Sequence, residues 1–232
     1  MEYNNNMKNF LPTLLNRLGW VFFALTIIRF TRSAKAKVKE HLNDNKLFTK
    51  VERYNIAYKA SNNALRLFNI HVEERGLKDI PKRPVLFVVN HKSNFDSIIM
   101  IKILFENEGF PFFNFVSKIE VKKDKYGGAI SELIDSIYID RSNIREIVNV
   151  ITESKKALAE NSVIVFPEGT RIKGDKIGEM KSSVLEAAYL AITPIIPVVI
   201  YGTNKCMLEG EKRPNYRYKN IIVEFLPQIK PK

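Results

Sequence analysis

A histidine followed five residues later by an aspartate, His91 and Asp96, is the pairing in this sequence best suited to proton chemistry. A carboxylate that accepts from imidazole Nδ1–H fixes the tautomer and leaves Nε2 free as a base. Two more polar clusters follow apolar runs: Asp140-Arg141, and Glu168-Gly169-Thr170-Arg171. Arginine offers a planar fork of donors that matches phosphate oxygens, and Gly169 lets backbone come close to a ligand. A base beside such a clamp suits activation of a hydroxyl on a phosphorylated substrate. Taken singly, each group has an ordinary explanation. A lone histidine is commonly structural, an arginine commonly belongs to a surface ion pair, and a glutamate such as Glu168 caps a helix or braces an arginine.

The elements that must position these groups can be read from apolar patterning. Residues 85–89, VLFVV, read as a buried strand ending at Asn90-His91. Ser93 and Asn94 then suit a helix start, and residues 98–105 supply an apolar helix face. Residues 67–74 read as a first strand, with His71 facing away from its apolar set. Residues 110–116 read as a strand leading to Ser117-Lys118, and 129–134 as a short helix. Residues 137–139 form a short strand before Asp140-Arg141. Ser142 is placed to cap an amphipathic helix that ends at Asn161. Residues 163–166 form a strand running into the glutamate–arginine cluster, and 172–182 a polar loop. A short helix follows over 183–191. Residues 194–200 read as a strand whose two prolines suit a sheet edge, and 221–225 as a last strand. Strands alternate with helices from residue 67 onward, which predicts an α/β domain over 67–232: a mixed sheet flanked by helices. Parallel strands bring their C-terminal ends to one edge, where α/β sheets bind ligands, so the three polar clusters are expected to converge.

The 232-residue chain carries a formal net charge of +12, unevenly placed. Residues 1–84 hold 16 Lys and Arg against 7 Asp and Glu, a net of +9, whereas the remainder holds 21 against 18, a net of +3. The basic character therefore belongs to the N-terminal third. There, residues 10–30 are mostly apolar, but the uninterrupted run between Arg17 and Arg29 is only 11 residues, against about 20 for a spanning helix. Its helical spacing, with Trp20 and flanking arginines, suits a helix lying in or dipping into a membrane interface. The basic helical pattern of residues 31–66 suits anionic headgroups. Residues 1–66 are thus expected to form an amphipathic, membrane-associated helical segment. A single cysteine, Cys206, excludes an internal disulfide and a cysteine-rich metal site. Net positive charge also attracts nucleic acid, yet no aromatic–basic platform or zinc pattern accompanies it, so no nucleic-acid partner is expected.

Taken together and in order, the motifs resemble those of the glycerolipid acyltransferase family. They are Asn90-His91-x-Ser93-x-x-Asp96, Ile139-Asp140-Arg141, Phe166-Pro167-Glu168-Gly169-Thr170-Arg171, and Pro194-Ile195-Ile196-Pro197-Val198. The resemblance is strongest to the 1-acylglycerol-3-phosphate (lysophosphatidate) acyltransferases and covers about residues 65–205. It implies that His91 is the general base and that Asp96 orients it. It implies that Arg141, Arg171 and Lys118 grip a phosphate. It gives Glu168, Gly169 and Thr170 substrate-binding or structural parts, with Glu168 contacting substrate or holding Arg171, and sets Pro197 on the acyl-donor side. It further implies transfer of a fatty acyl group from acyl-CoA or acyl carrier protein to the free hydroxyl of 1-acylglycerol-3-phosphate, forming phosphatidate, or in the alternative to another glycerol-phosphate or lysophospholipid acceptor, with no metal or cofactor, at the cytoplasmic face of a membrane. The chain departs from the family pattern at several points. No proline lies between Lys118 and Gly128, Ser136 and Ser183 stand where glycine is usual, and Ile172 replaces a common serine.

Overall fold

A computed structural model describes residues 47–124, 127–174, 176–206 and 219–231, together with part of 25–44. Except for Leu25, Ile28 and Arg29, which are helical with both apolar side chains exposed, the apolar stretch of residues 10–30 lies outside the described residues. No helix among the described residues is long and apolar enough to cross a membrane.

Helix α1 (Lys50–Leu67) opens on a capping box. The Glu52 N–H donates to Thr49 Oγ1, and the Thr49 N–H donates back to Glu52 Oε2 at 2.8 Å, so two otherwise unpaired donors of the first turn are satisfied. This helix lies on the N-terminal side of the expected boundary at residue 66. Its inner face, Tyr54, Ala57 and Leu65, is nevertheless built into the core of the sheet domain. The expected first strand begins later than its apolar residues suggest, because α1 runs on to Leu67 and Asn69 turns the chain at a positive φ of 51°.

The remaining elements are β1 (Ile70–Arg75), β2 (Leu86–Val89), α2 (Phe95–Glu106), β3 (Phe113–Lys118), α3 (Gly127–Leu133), β4 (Ile137–Ile139), α4 (Ile144–Ala157), β5 (Ser162–Val165), α5 (Glu186–Ala191), β6 (Ile195–Tyr201) and β7 (Lys219–Phe225). Among the described residues, seven strands form one sheet in the order β1-β7-β6-β2-β5-β3-β4. Strands β6, β2, β5, β3 and β4 run parallel, and β7 is antiparallel to β6. The sheet is therefore mixed and flanked by helices, as the alternating pattern predicts.

Side chains alternate across each strand, so β2 feeds two cores at once. Phe87 and Val89 join Tyr54, Ile99, Ile103 and Leu133 under α1, α2 and α3. Leu86 joins Val163, Val165, Leu158 and Ala188 under α4 and α5 on the opposite face. Burial on both faces explains why the inner strands are near-continuous apolar runs rather than alternating ones.

Two local expectations are corrected. Strand β6 is an interior strand between β2 and β7, not an edge. Pro197 is tolerated there because its carbonyl accepts from the Leu226 N–H, just past the last paired residues Val198 and Phe225. The missing proline N–H faces that same side, where the β7 ladder has ended. Helix α4 is capped by Asn143, whose side chain accepts from the Arg145 N–H, and not by Ser142. Ser142 donates both its N–H and its hydroxyl to Asp140 Oδ1 instead, closing the turn one residue earlier.

Candidate active site

Strand β2 sits between β5 and β6, so the residue after its last apolar position emerges at the middle of the sheet's C-terminal edge. Asn90 locks that exit. Its amide nitrogen donates to Ile200 O at 3.0 Å, and its oxygen accepts from Ile200 N–H at 2.7 Å, which ties the end of β2 to the end of β6. His91 follows at once, with its side chain 18% exposed, above the fully buried Asp96.

Asp96 lies in the first turn of α2, where a carboxylate meets the unpaired N–H end of the helix. Its Oδ2 accepts from Lys92 N–H at 2.7 Å and Ser93 N–H at 2.8 Å, and lies 2.8 Å from His91 Nδ1. A carboxylate oxygen gathering backbone donors can only accept from the ring, so Nδ1 carries the proton and Nε2 presents a lone pair. The expected side-chain cap at Asn94 is absent. Ser93 Oγ accepts from the Phe95 N–H, and the Asp96 carboxylate does the rest. The carboxylate thus shapes the loop as well as aiming the base. Its Oδ1 is buried with no hydrogen-bond partner among the described residues.

The turn after β5 wraps around the same histidine. Phe166 lies almost parallel to the His91 ring, with centroids 4.2 Å apart, and so limits how the imidazole can rotate. Glu168, buried, uses one oxygen for the His91 N–H at 2.6 Å and the other for the Gly178 N–H at 2.8 Å. It therefore holds backbone and does not brace Arg171, because both carboxylate oxygens face N–H groups. The Ile172 N–H donates to His91 O at 2.8 Å, so both the amide and the carbonyl of His91 are pinned by this turn.

Gly169 turns at a φ of 68°, and its carbonyl oxygen accepts from Arg141 Nη1. A Cβ there would stand 3.2 Å from that guanidinium nitrogen. Arg141 reaches the turn from beyond β4, and partial burial holds its pKa below the ordinary arginine value, with Glu120's charge acting against that. Arg171 is exposed, immediately before the residue bonded to His91 O, and makes no hydrogen bond or ion pair among the described residues. Thr170 beside it is exposed as well. Lys118 ends β3, exposed, and pairs in register with Ile139, two residues before Arg141.

His91, Asp96, Glu168, Gly169 and Arg141 are thus joined by direct contacts, with Arg171 and Thr170 on the same turn and Lys118 on the adjoining strand end. Pro197 is not at this edge. It pairs with Val88 inside the sheet, below the level of His91. Phe166, Asn90 and Gly178 were not assigned parts in the sequence reading. Phe166 ends an apolar strand and reads as core, and nothing in a glycine's type announces a hydrogen bond to a glutamate ten residues earlier. Among the described residues, no group of three or more His, Cys, Asp or Glu could hold a metal ion.

Chemically, the arrangement offers an oriented, half-open base, an arginine-lined turn beside it, and a backbone that cannot shift without breaking several hydrogen bonds. Comparison with known proteins adds to this. Residues 71–201 match the family model described as acyltransferase. The chain is 38% identical over 186 residues to the probable 1-acyl-sn-glycerol-3-phosphate acyltransferase of Mycoplasma genitalium, spanning 76% of this chain and 69% of that protein. It is 38% identical over 156 residues to the protein of the same name from Mycoplasma pneumoniae, spanning 64% of this chain and 58% of that one. With 1-acyl-sn-glycerol-3-phosphate acyltransferase alpha of Homo sapiens it shares 29% over 166 residues, covering 56% of the human protein. The match thus spans from a little over half to about two thirds of these relatives' length. The fold matches the crystal structure of the 1-acyl-sn-glycerophosphate (LPA) acyltransferase PlsC from Thermotoga maritima. The TM-score is 0.68 at 21% identity, over 94% of this chain and 87% of that one.

Proposed function

The chain belongs to the acyltransferase family, and from that premise we propose that it transfers a fatty acyl group to the free hydroxyl of 1-acylglycerol-3-phosphate, forming phosphatidate. The observation that carries this reading is His91, held by Asp96 at 2.8 Å with its outer nitrogen open beside an arginine-bearing turn. In the reaction, Nε2 takes the hydroxyl proton as the oxygen bonds to the thioester carbonyl carbon. The carbon–sulfur bond then breaks, and the thiolate recovers the proton from the imidazolium. Asp96, already negative and oriented, stabilises the transient positive charge on the ring. Arg141, Arg171 and Lys118 supply fixed positive charge for the acceptor's phosphate monoester. Glu168 and Gly169 serve the site through backbone: one pins His91, the other seats Arg141.

The acyl donor is a thioester, acyl-CoA or acyl carrier protein. The setting is the cytoplasmic face of a membrane, where the lipid acceptor resides. The +9 charge of residues 1–84, the exposed Leu25 and Ile28, and the exposed Lys35, Lys37 and Lys39 in helical residues 35–41 support that placement.

The test is initial-rate acyl transfer from each donor to lysophosphatidate, glycerol 3-phosphate and lysophosphatidylcholine. Lysophosphatidate is expected to give the highest kcat/KM. Arg141→Ala and Arg171→Ala are each expected to raise its KM about tenfold with a smaller change in kcat. A preference for lysophosphatidylcholine, which lacks a phosphate monoester, would remove the phosphate clamp from the account.

A further inference from the structure

The polar loop that follows the arginine-bearing turn carries a pattern that the reaction does not use. Ile177 is 52% exposed and Met180 is 51% exposed, within four residues of each other. Lys176 and Lys181, both exposed, flank them. A single exposed apolar side chain is ordinary on a soluble surface, but here two large ones project from one short loop whose exposed charges are Lys176, Glu179 and Lys181. The loop is not slack. Its Gly178 N–H donates to Glu168 Oε1, its Lys181 N–H donates to Pro167 O at 3.0 Å, and its Lys176 carbonyl accepts from Lys92 Nζ. Ile172 packs where a Cβ of Gly178 would stand, with its Cδ1 2.6 Å from that position, so the loop backbone lies flat on the turn beneath it. A backbone tied down at Lys176, Gly178 and Lys181, with exposed apolar tips and flanking lysines, is an arrangement that a bilayer surface accommodates. The tips enter the acyl boundary and the ammonium groups stay with lipid phosphates.

We propose that Ile177 and Met180 insert into an anionic bilayer surface beside the active site, with Lys176 and Lys181 paired to headgroup phosphates. This rests on the reading of the acceptor as a membrane lipid. It adds that the catalytic edge itself touches the membrane, apart from any contact made by the N-terminal segment. One carboxylate, Glu168, holds both the loop at Gly178 and the base at the His91 N–H. The depth of the loop therefore sets the height of His91 above the headgroup layer.

The experiment uses the full chain with Ile177→Cys labelled by an environment-sensitive nitrobenzoxadiazole dye. Cys206 is buried, and burial pushes its thiol up to about 11, so the label goes to position 177 alone. With vesicles of phosphatidylglycerol and phosphatidylcholine, the dye emission is expected to shift to the blue and to be quenched by nitroxide-labelled acyl chains. The double variant Ile177→Ser/Met180→Ser is expected to bind these vesicles about tenfold more weakly. It should lose turnover of vesicle-borne acceptor by a similar factor and keep turnover of a soluble short-chain acceptor. A dye that stays water-like while the chain sediments with vesicles overturns the loop contact and leaves the membrane reading standing. Failure of the unlabelled chain to sediment at all overturns both. A dye that responds to acyl carrier protein and not to vesicles makes the loop a protein-docking surface and overturns the proposal.

Discussion

Two nitrogen–carboxylate pairs in this molecule are built from similar parts and turned in opposite directions. At the sheet's C-terminal edge, Asp96 is fully buried and His91 is 18% exposed. Behind β3, the Arg53 side chain is only 10% exposed and its partner Asp135 is 48% exposed. In the first pair the carboxylate is the anchor and the titratable ring faces out with one nitrogen unused. In the second the guanidinium is the anchor. Arg53 donates to both oxygens of Asp135 and to Leu133 O at 3.0 Å, so its two terminal nitrogens are both engaged. Neighbouring Tyr54 adds a hydroxyl donated to Phe113 O at 2.6 Å, and burial pushes its pKa well above the usual phenol value. The pair that hides its cation fastens helix α1 to the end of α3 and the loop after it. The pair that hides its anion presents a base.

That contrast breaks most readily at His91. His91→Ala is expected to lower turnover by about 10²–10⁴-fold, the usual worth of a positioned general base, while the melting temperature holds. Initial rates beside a thermal melt read both. Arg53→Ala should do the reverse. It strands Leu133 O in the interior and leaves Asp135 to water, at a cost of about 2–3 kcal/mol. Tm then drops by several degrees with kcat of the remaining folded enzyme unchanged. Equal loss of activity and stability in both variants would erase the distinction.

A finer probe is Glu168→Gln, since an amide turns a donor toward one of the two N–H groups that the carboxylate now accepts. Turnover is expected to fall about tenfold through misplacement of His91, with the pH profile of the rate unmoved. The smallest effect concerns Cys206, whose thiol is raised from 9.0 to about 11, first by burial, with the Asp96 charge adding in the same direction and Lys219 opposing. A thiol held protonated in the folded chain stabilises it fully below the unfolded value. That contribution is lost as pH rises from 9.0 toward 11. Cys206→Ala should flatten the pH dependence of unfolding free energy in that window, by on the order of 1 kcal/mol at about pH 10. Denaturant titrations at alkaline pH measure it.

Much of the catalytic edge was legible because short-range chemistry wrote it. The apolar run before Asn90 had to be a strand. A carboxylate five residues past His91, in the first turn of a helix, could reach back to the ring with no help from distant residues. The part of Glu168 was not legible. Its partners, the N–H groups of His91 and Gly178, lie 77 and 10 residues away, and a backbone donor leaves no mark in residue type. The same holds for α1. Its basic, broken apolar stripe reads as a surface helix, and only the packed structure shows Tyr54 and Arg53 reaching the loop after α3 some 80 residues later. Pro197 misled for a related reason. Proline excludes a paired N–H, which suggests an edge, but an interior strand satisfies the same condition where its neighbour's ladder has ended.

By itself the sequence determined the chemical inventory and its local geometry: which residues can carry a proton, which can grip a phosphate, and which strands must be buried on both faces. These follow from side-chain type and from spacings within a turn or two of chain. The tertiary structure alone decided the strand order, which sets β2 between β5 and β6 and so brings His91 against Phe166 and Glu168. It also decided which of several exposed cations would stand beside the base. Those outcomes depend on long-range packing of two cores against one sheet, where the free energy is shared among many residues and no single spacing records it.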